Sequence, residues 1–190
     1  MLSFFKHCSS CHNLSKKCDV LLEDVANVTQ LKTFEKGDVI LKKGNVCKHL
    51  MYIEEGLVKL VFHKEHNEYI LCFYQENETF TILDSYQTQT PSSFMIIALE
   101  PTTISCIEYE DMAQLCKDNH CLETFFLKLI SSISLQFISR TCELIQFNAI
   151  DRYSRFISSY NELYKRISLG DLAHYLGINQ VTLSKIRRKK

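Results

Sequence analysis

Ile167-Ser-Leu-Gly-Asp-Leu-Ala-His-Tyr-Leu-Gly177-Ile-Asn-Gln-Val-Thr-Leu-Ser-Lys-Ile186-Arg-Arg-Lys-Lys190 holds two short amphipathic segments separated by a glycine. Ser168, followed three residues later by Asp171, resembles a capping box and opens the first helix. Leu172, Ala173 and Leu176 give that helix an inner face. Gly177 stops it, and Asn179 is placed to cap the next with its side-chain oxygen. In the second helix Leu183 and Ile186 point inward, while Gln180, Val181, Ser184, Lys185 and Arg188 share the opposite face. The pattern is a helix-turn-helix, with small Ala173 at the helix crossing and Gly177 in the tight turn. A DNA major groove admits one helix with its first turn at the base edges and cations further along at phosphates. The candidate DNA-facing set is Asn179, Gln180, Thr182, Ser184, Lys185, Arg187 and Arg188. Gln180 and Lys185 are the base readers; Arg187, Arg188, Lys189 and Lys190 neutralise backbone. The plain alternative is a helical hairpin with a charged end.

Charge supports the first reading. The chain of 190 residues balances 22 Lys plus Arg against 22 Asp plus Glu. From Ala149 to Lys190, however, nine Lys or Arg stand against three acids, a net of +6, and the remainder carries −6. A basic final quarter on a neutral protein implies an anionic partner for that quarter alone. An apolar content of 46% suffices for one domain and a small second one, and two prolines with five glycines exclude a fibrous or low-complexity chain. No uncharged apolar run approaches the ~20 residues of a membrane span. The segment Met1 to Cys8 turns polar too soon for a secretory signal, so a cytoplasmic location is expected.

Upstream, the apolar period from Leu31 to about Tyr109 is two. Val39 to Leu41, Leu50 to Ile53, Leu57 to Phe62, Tyr69 to Tyr74, Phe94 to Leu99 and Thr103 to Ile107 are short and rich in β-branched and aromatic residues. Turn signals at Lys36-Gly37-Asp38, Lys43-Gly44-Asn45, Glu55-Gly56 and His66-Asn67 separate them. Strands so spaced, without helices between, predict an antiparallel roll. After Glu110 the spacing becomes helical, and no proline or glycine interrupts the chain from Asp111 to Leu169, which predicts one long helix through about Glu143. Phe126, Leu129, Ile133 and Phe137 form a stripe expected to be a dimer seam, with packing onto the chain's own roll as the alternative. The expected fold class is α+β: an antiparallel β-roll of the jelly-roll type, a long dimerisation helix and a C-terminal helix-turn-helix lacking a full wing. The expected divisions are a leader (1–24), a sensory roll (25–112), the dimerisation helix (113–147) and the DNA-binding domain (148–190).

At this point the chain resembles the Crp/Fnr transcription regulators over nearly its whole length. Phe34-x-Lys-Gly-Asp-x-Ile40, Gly44 and Met51-Tyr-Ile-x-x-Gly-x-Val-Lys59 are similar to the family's cyclic-nucleotide-binding-type roll. Asn148-Ala-Ile-Asp-Arg-Tyr-Ser-Arg-Phe-Ile157 is similar to the family's segment between dimer helix and DNA-binding domain. Tyr175-Leu-Gly-Ile178 and Thr182-Leu-Ser-Lys-Ile-Arg187 resemble its helix-turn-helix. The resemblance implies a homodimer on double-stranded DNA, with RNA polymerase as a further partner. Three departures stand out. The family's Gly-Glu pair and phosphate-gripping arginine are replaced by stretches such as Asn77-Glu78-Thr79 and Pro91-Ser92-Ser93, and no arginine occurs between Val20 and Ile138. A buried phosphate needs a paired cation, so a cyclic nucleotide is not expected. The family's wing hairpin is not expected. Val181 stands where the family has a glutamate early in the recognition helix, which predicts a different preferred site.

Nine cysteines are too dilute for a disulfide scaffold, and six of them (Cys47, Cys72, Cys106, Cys116, Cys121, Cys142) read singly as small buried hydrophobes. Cys8, Cys11 and Cys18 lie close together, like the cluster-binding leader of the family's Fnr branch but with one extra residue before the third. That branch takes its fourth ligand from the roll just after Ala-Leu-Glu. Here Ala98-Leu-Glu100 is followed by Cys106, one position late, which on a strand reverses its facing. The resemblance implies a 4Fe–4S cluster on Cys8, Cys11, Cys18 and Cys106, with Cys72 or Cys47 as substitutes for the last, and a redox or oxygen effector. A zinc site using His7 or His12, haem attachment at Cys8-Ser-Ser-Cys11-His12 (which would require export), and no metal at all remain open. No P-loop, G-x-S-x-G or H-E-x-x-H occurs, and His63 and His66 read as a solvated turn, so no enzyme is expected. The rival readings are a zinc-stabilised or small-ligand-sensing regulator, or a protein-interaction module using the basic helix.

Overall fold

The computed structural model describes residues 17–65 and 67–188, with side chains from Glu23 onward. Helix α1 (Lys17–Val28) leads into strands β1 (Gln30–Phe34), β2 (Val39–Leu41), β3 (His49–Glu55), β4 (Val58–Lys64), β5 (Asn67–Tyr74) and β6 (Thr79–Phe80). A short helix α2 (Leu83–Thr88) precedes β7 (Met95–Ala98) and β8 (Thr102–Glu108). The strands form two antiparallel sheets, β1-β8-β3-β6 and β2-β7-β4-β5. Met51, Ile53, Val58, Leu60, Phe80, Ile96 and Ile104 fill the space between them. The chain is the expected α+β roll with helices at both ends.

Both sheets are also apolar on their outer faces. On the first, Leu50, Tyr52 and Ile107 pack beneath Val25 of α1, Met112 of α3 (Tyr109–Asp118) and Leu122 of α4 (His120–Gln146). On the second, Leu57, Val61 and Ile70 lie under the C-terminal helices α5 (Ala149–Ser159), α6 (Asn161–Arg166), α7 (Leu169–Leu176) and α8 (Gln180–Arg188). Leu57 to Phe62 therefore reads as an almost unbroken apolar run, because its alternate residues are buried on opposite sides.

Two expectations about the helical part are corrected. The single helix over 113–147 is two helices: Asn119 takes an extended backbone, and its side chain accepts from the Cys121 amide to cap α4. The stripe Phe126, Leu129, Ile133 and Phe137 faces the chain's own roll. Phe126 and Leu129 pack on the Leu50–Ile107 layer, Phe137 on the roll interior, and Ile133 is only 2% exposed. The open side of α4 carries Leu127, Leu135, Ile138 and Ile145, each 59–79% exposed. Between them Ser131, Ser134 and Thr141 turn their hydroxyls back to the carbonyls of Leu127, Ile130 and Phe137. By length and composition α4 is also apolar enough to cross a membrane, although Glu123, Lys128, Arg140 and Glu143 interrupt its apolar run. Helix α1 likewise crosses the expected boundary at residue 24, since Val25 is buried under the roll.

The C-terminal helices are held to the second sheet by ion pairs around the apolar cluster. The Arg166 guanidinium meets both Glu76 oxygens at 2.7 and 2.8 Å and also pairs with Glu100. Lys59 reaches Glu68 and Asp171, each at 2.8 Å, and His174 Nδ1 lies 3.2 Å from Glu68. Burial opposes the charges on Asp171 and Lys59, but their mutual bond outweighs it. Asp171 therefore titrates below the usual carboxylate range and Lys59 above the usual ammonium range. The Arg166 hydrogen bonds hold the Glu76 carboxyl at about 2.

Glu76 is depressed in the folded state, so its contribution is present above the ordinary carboxylate value and fades as pH falls through the folded one. Glu76→Gln should cost about 1 kcal/mol at pH 7, a modest figure because the pair is about one-third exposed and screened. The difference from wild type should shrink as pH falls from 4.5 towards about 2. Urea titrations at several pH values test this; a gap unchanged with pH would contradict it. At the β3–β4 turn, Gly56 has φ +102°, and a Cβ there would lie 2.6 Å from the Pro101 carbonyl oxygen and 2.7 Å from Thr102 Cα. Gly56→Ala should therefore destabilise the roll by about 2–4 kcal/mol in the same assay.

Candidate nucleic-acid interface and sensory roll

The helix-turn-helix is built as its caps dictate. Ser168 Oγ accepts the Asp171 amide at 3.0 Å and donates to the Asp171 carboxylate at 2.5 Å, which starts α7. Gly177 ends it with φ +66°, a conformation that costs a side chain energy, and its N–H returns to the Ala173 and His174 carbonyls. Asn179 Oδ1 then accepts the Thr182 amide at 2.8 Å and begins α8. Leu183 and Ile186 are buried against Leu172, Ala173 and Leu176.

Of the candidate DNA-facing residues, Asn179, Gln180, Ser184, Lys185, Arg187 and Arg188 are exposed, and Val181 is 64% exposed beside them. Thr182 is half-buried, and its backbone N–H goes to the cap. Lys189 and Lys190 lie outside the described residues. The sequence reading overlooked Gly170: a Cβ there would come 2.9 Å from Gln180 Nε2, so its absence lets the Gln180 amide lie across the first turn of α7. Burial, and then the neighbouring Tyr164, push the Tyr153 phenol of α5 above its ordinary range, and Arg187 beside it offsets this in part.

The cations of this quarter are not all offered outward: Arg155 lies over the Phe147 ring and Lys165 pairs with Glu162. Arg166 is spent on Glu76 and Glu100. Arg152 donates to the Leu176 carbonyl at 2.8 and 3.1 Å and to the Phe147 carbonyl at 2.5 Å, satisfying groups that the ends of α7 and α4 leave open. Lys185, Arg187 and Arg188 stand on the outer helix, at its C-terminal end where the helix dipole also favours them. The net +6 thus overstates the charge offered outward.

In the roll, a cavity of about 260 Å³ lies where α2 and α4 meet the second sheet, lined by Leu60, Leu71, Ile82, Leu83, Asp84, Phe94 and Phe137. Its lining has one acid and no base. Asn77 accepts from the Tyr52 hydroxyl, Glu78 from the Gln75 amide, and Ser92 Oγ from the Phe94 amide. These residues do not fit a phosphate, which would enter beside Asp84 without a cation.

Cys8 and Cys11 fall outside the described residues, as does the Cys18 side chain, although its backbone belongs to α1. Cys106 does not fit as a fourth ligand. It is 3% exposed among Cys47 and Met51 inside the roll, and burial pushes its thiol up to about 11. α1 packs on the opposite face of that sheet, with Ile107. Cys72 is likewise raised to about 11 by burial, and Cys47 is buried against Thr81. Among the described residues no group of three His, Cys, Asp or Glu is arranged to hold a metal ion. His63 lies 3.6 Å from Glu68, in the polar edge described above.

Residues 31–119 match the cyclic nucleotide-binding domain family. Over 177 residues the chain is 25% identical to Electron transport regulator A of Shewanella oneidensis, covering 87% of this chain and 69% of that protein. Among solved structures, FixK2 from Bradyrhizobium japonicum superposes with a TM-score of 0.75 at 12% identity, over 85% of this chain and 84% of that one. The c-di-GMP responsive global regulator CLP of Xanthomonas campestris gives 0.74 at 15%, over 90% of each chain. A Crp/Fnr-family transcriptional regulator from Eubacterium rectale gives 0.73 at 15%, over 90% of this chain and 82% of that one. Residues 31–119 are thus a cyclic nucleotide-binding-type domain, carried in the fold of the Crp/Fnr transcription regulators.

Proposed function

We propose that this protein is a cytoplasmic, non-enzymatic transcription regulator that binds double-stranded DNA as a homodimer and acts on RNA polymerase. The observation that carries this reading is α8: a capped, outward helix with Gln180, Val181 and Ser184 on its first two turns and Lys185, Arg187 and Arg188 behind them. That order suits base edges first and phosphates second. The bare apolar side of α4 supports pairing with a second copy. The cationless roll cavity argues against a cyclic nucleotide as the effector.

The input we assign is redox or oxygen, taken up by the leader thiols Cys8, Cys11 and Cys18. Their spacing and the relative from Shewanella oneidensis support it. Anaerobic metal and sulfide analysis of wild type and Cys11→Ser separates iron–sulfur from zinc. Metal-free wild type would remove this input and leave the DNA-binding reading standing.

Lys185→Ala should weaken binding to the preferred site by about 1–3 kcal/mol. Arg188→Ala should weaken all duplexes alike and lower the salt slope by about one. Selection from random DNA followed by titration at several salt concentrations measures both, and an absence of salt-dependent binding to any duplex overturns the reading. Ile138→Asp should yield monomers in sedimentation, since it sets two unpaired charges in the proposed seam. Ile133→Asp should unfold the protein instead. An unchanged dimer in Ile138→Asp would place the seam elsewhere.

A further inference from the structure

We propose that the cavity enclosed by the end of β5, the C-terminal half of α4 and helices α5–α7 binds a small, planar, uncharged molecule carrying a hydrogen-bond acceptor. Its volume is about 210 Å³. That is below the ~300 Å³ at which sites for drug-sized ligands begin.

Two buried side chains that line this space carry under-satisfied donors, one without a partner and one with only a weak one. The Arg140 side chain is 5% exposed. One terminal nitrogen donates to Glu143 at 2.7 Å, the other donates to the Tyr175 carbonyl, and the guanidinium lies 3.7 Å from the Tyr175 ring centre. Its remaining donor, Nε–H, has no partner although the atom is buried. Tyr74 is 4% exposed, and its hydroxyl is also unpartnered except for the adjacent Cys72 thiol, a weak acceptor. An unmet buried donor costs about 1–3 kcal/mol, and native interiors rarely leave two in one cavity.

The surroundings select the ligand. Arg140 is already balanced by Glu143, and Glu78 also lines the space, so an added anion meets two carboxyl groups. A cation would meet Arg140. An uncharged acceptor satisfies both donors without either conflict. The rings of Phe73, Phe156, Tyr160 and Tyr175 line the cavity and favour a flat, aromatic body. A second copy paired through the seam proposed above would not cover this site. At 100° per residue, Gln136, Arg140 and Glu143 lie on the side of α4 opposite Leu127, Ile138 and Ile145. The cavity is also separate from the one inside the roll.

A ligand here would touch the roll at Tyr74, the long helix at Arg140 and the DNA-binding domain at Tyr160 and Tyr175 together. Its effect on DNA affinity rests on the function proposed above; its binding does not.

The test uses the full chain without DNA, titrated by NMR with benzamide, and with benzoate and benzylamine as charged counterparts of similar shape. Benzamide should bind and shift the resonances of Tyr160 and Tyr175, with both charged probes at least about tenfold weaker. Tyr74→Phe removes only a hydroxyl whose one partner is a weak thiol acceptor, so it should fold with a nearly unchanged thermal midpoint yet bind benzamide roughly threefold to tenfold more weakly. No benzamide binding, equal binding of all three probes, or unchanged affinity in Tyr74→Phe overturns the site and leaves water as its occupant. If benzamide binds as expected, saturating it should change affinity for a selected duplex; an unchanged value overturns the coupling alone. Failure to bind any duplex counts against the regulator and leaves the site intact.

Discussion

A sheet that is apolar on both faces must be covered twice, and the rest of this molecule follows from that requirement. The β2-β7-β4-β5 sheet gives one face to the roll interior and the other, through Leu57, Val61 and Ile70, to the C-terminal helices. Helices α5–α8 are therefore part of the same buried cluster as the outer face of the roll. Leaving the roll would expose Leu57, Val61, Ile70 and Phe73 to water, which non-directional burial opposes more strongly than ion pairs at a half-wet rim can. The rim pairs supply direction instead. Arg166 on Glu76 and Glu100, and Lys59 between Glu68 and Asp171, choose one orientation from the many that a greasy contact would accept.

Much of this was legible along the chain, and what was not has a common cause. Ser168, Gly177 and Asn179 act on residues within four positions, so local chemistry identified their helix ends. The strand runs and their glycine turns were readable for the same reason. Which side of α4 is buried was not legible, because the helix carries two apolar stripes of similar spacing and period alone does not say which one meets the roll. Phe126, Ile133 and Phe137 belong to one; Leu127, Ile138 and Ile145 belong to the other. The break at Asn119 had a signal, a capping residue ahead of a helical run, that the lack of proline and glycine obscured.

Facing and partnership were harder still. The inward turn of Cys106 was flagged by its one-residue offset from the family pattern, since one step on a strand exchanges the two faces. Arg152 and Arg166 look in sequence like any other cation of a basic tail. Their partners, the end of α7 and carboxylates 66 and 90 residues upstream, exist only once the chain is folded. Arg140 is of the same kind. Three arginines thus join α4, α5 and α6 to neighbouring elements, and counting charge does not separate them from those offered to solvent.

Helix α4 spans 27 residues, hence about 40 Å at 1.5 Å per residue. It is anchored near its start by Leu122 on the roll and near its end by Arg140 on the Tyr175 carbonyl. Such a rod is a lever arm. Tilting its base by about 5° would carry the far end roughly 3.5 Å. A displacement no larger than a side chain's repacking beside Leu122 would thus be felt at the Tyr175 carbonyl, where α4 meets the C-terminal helices.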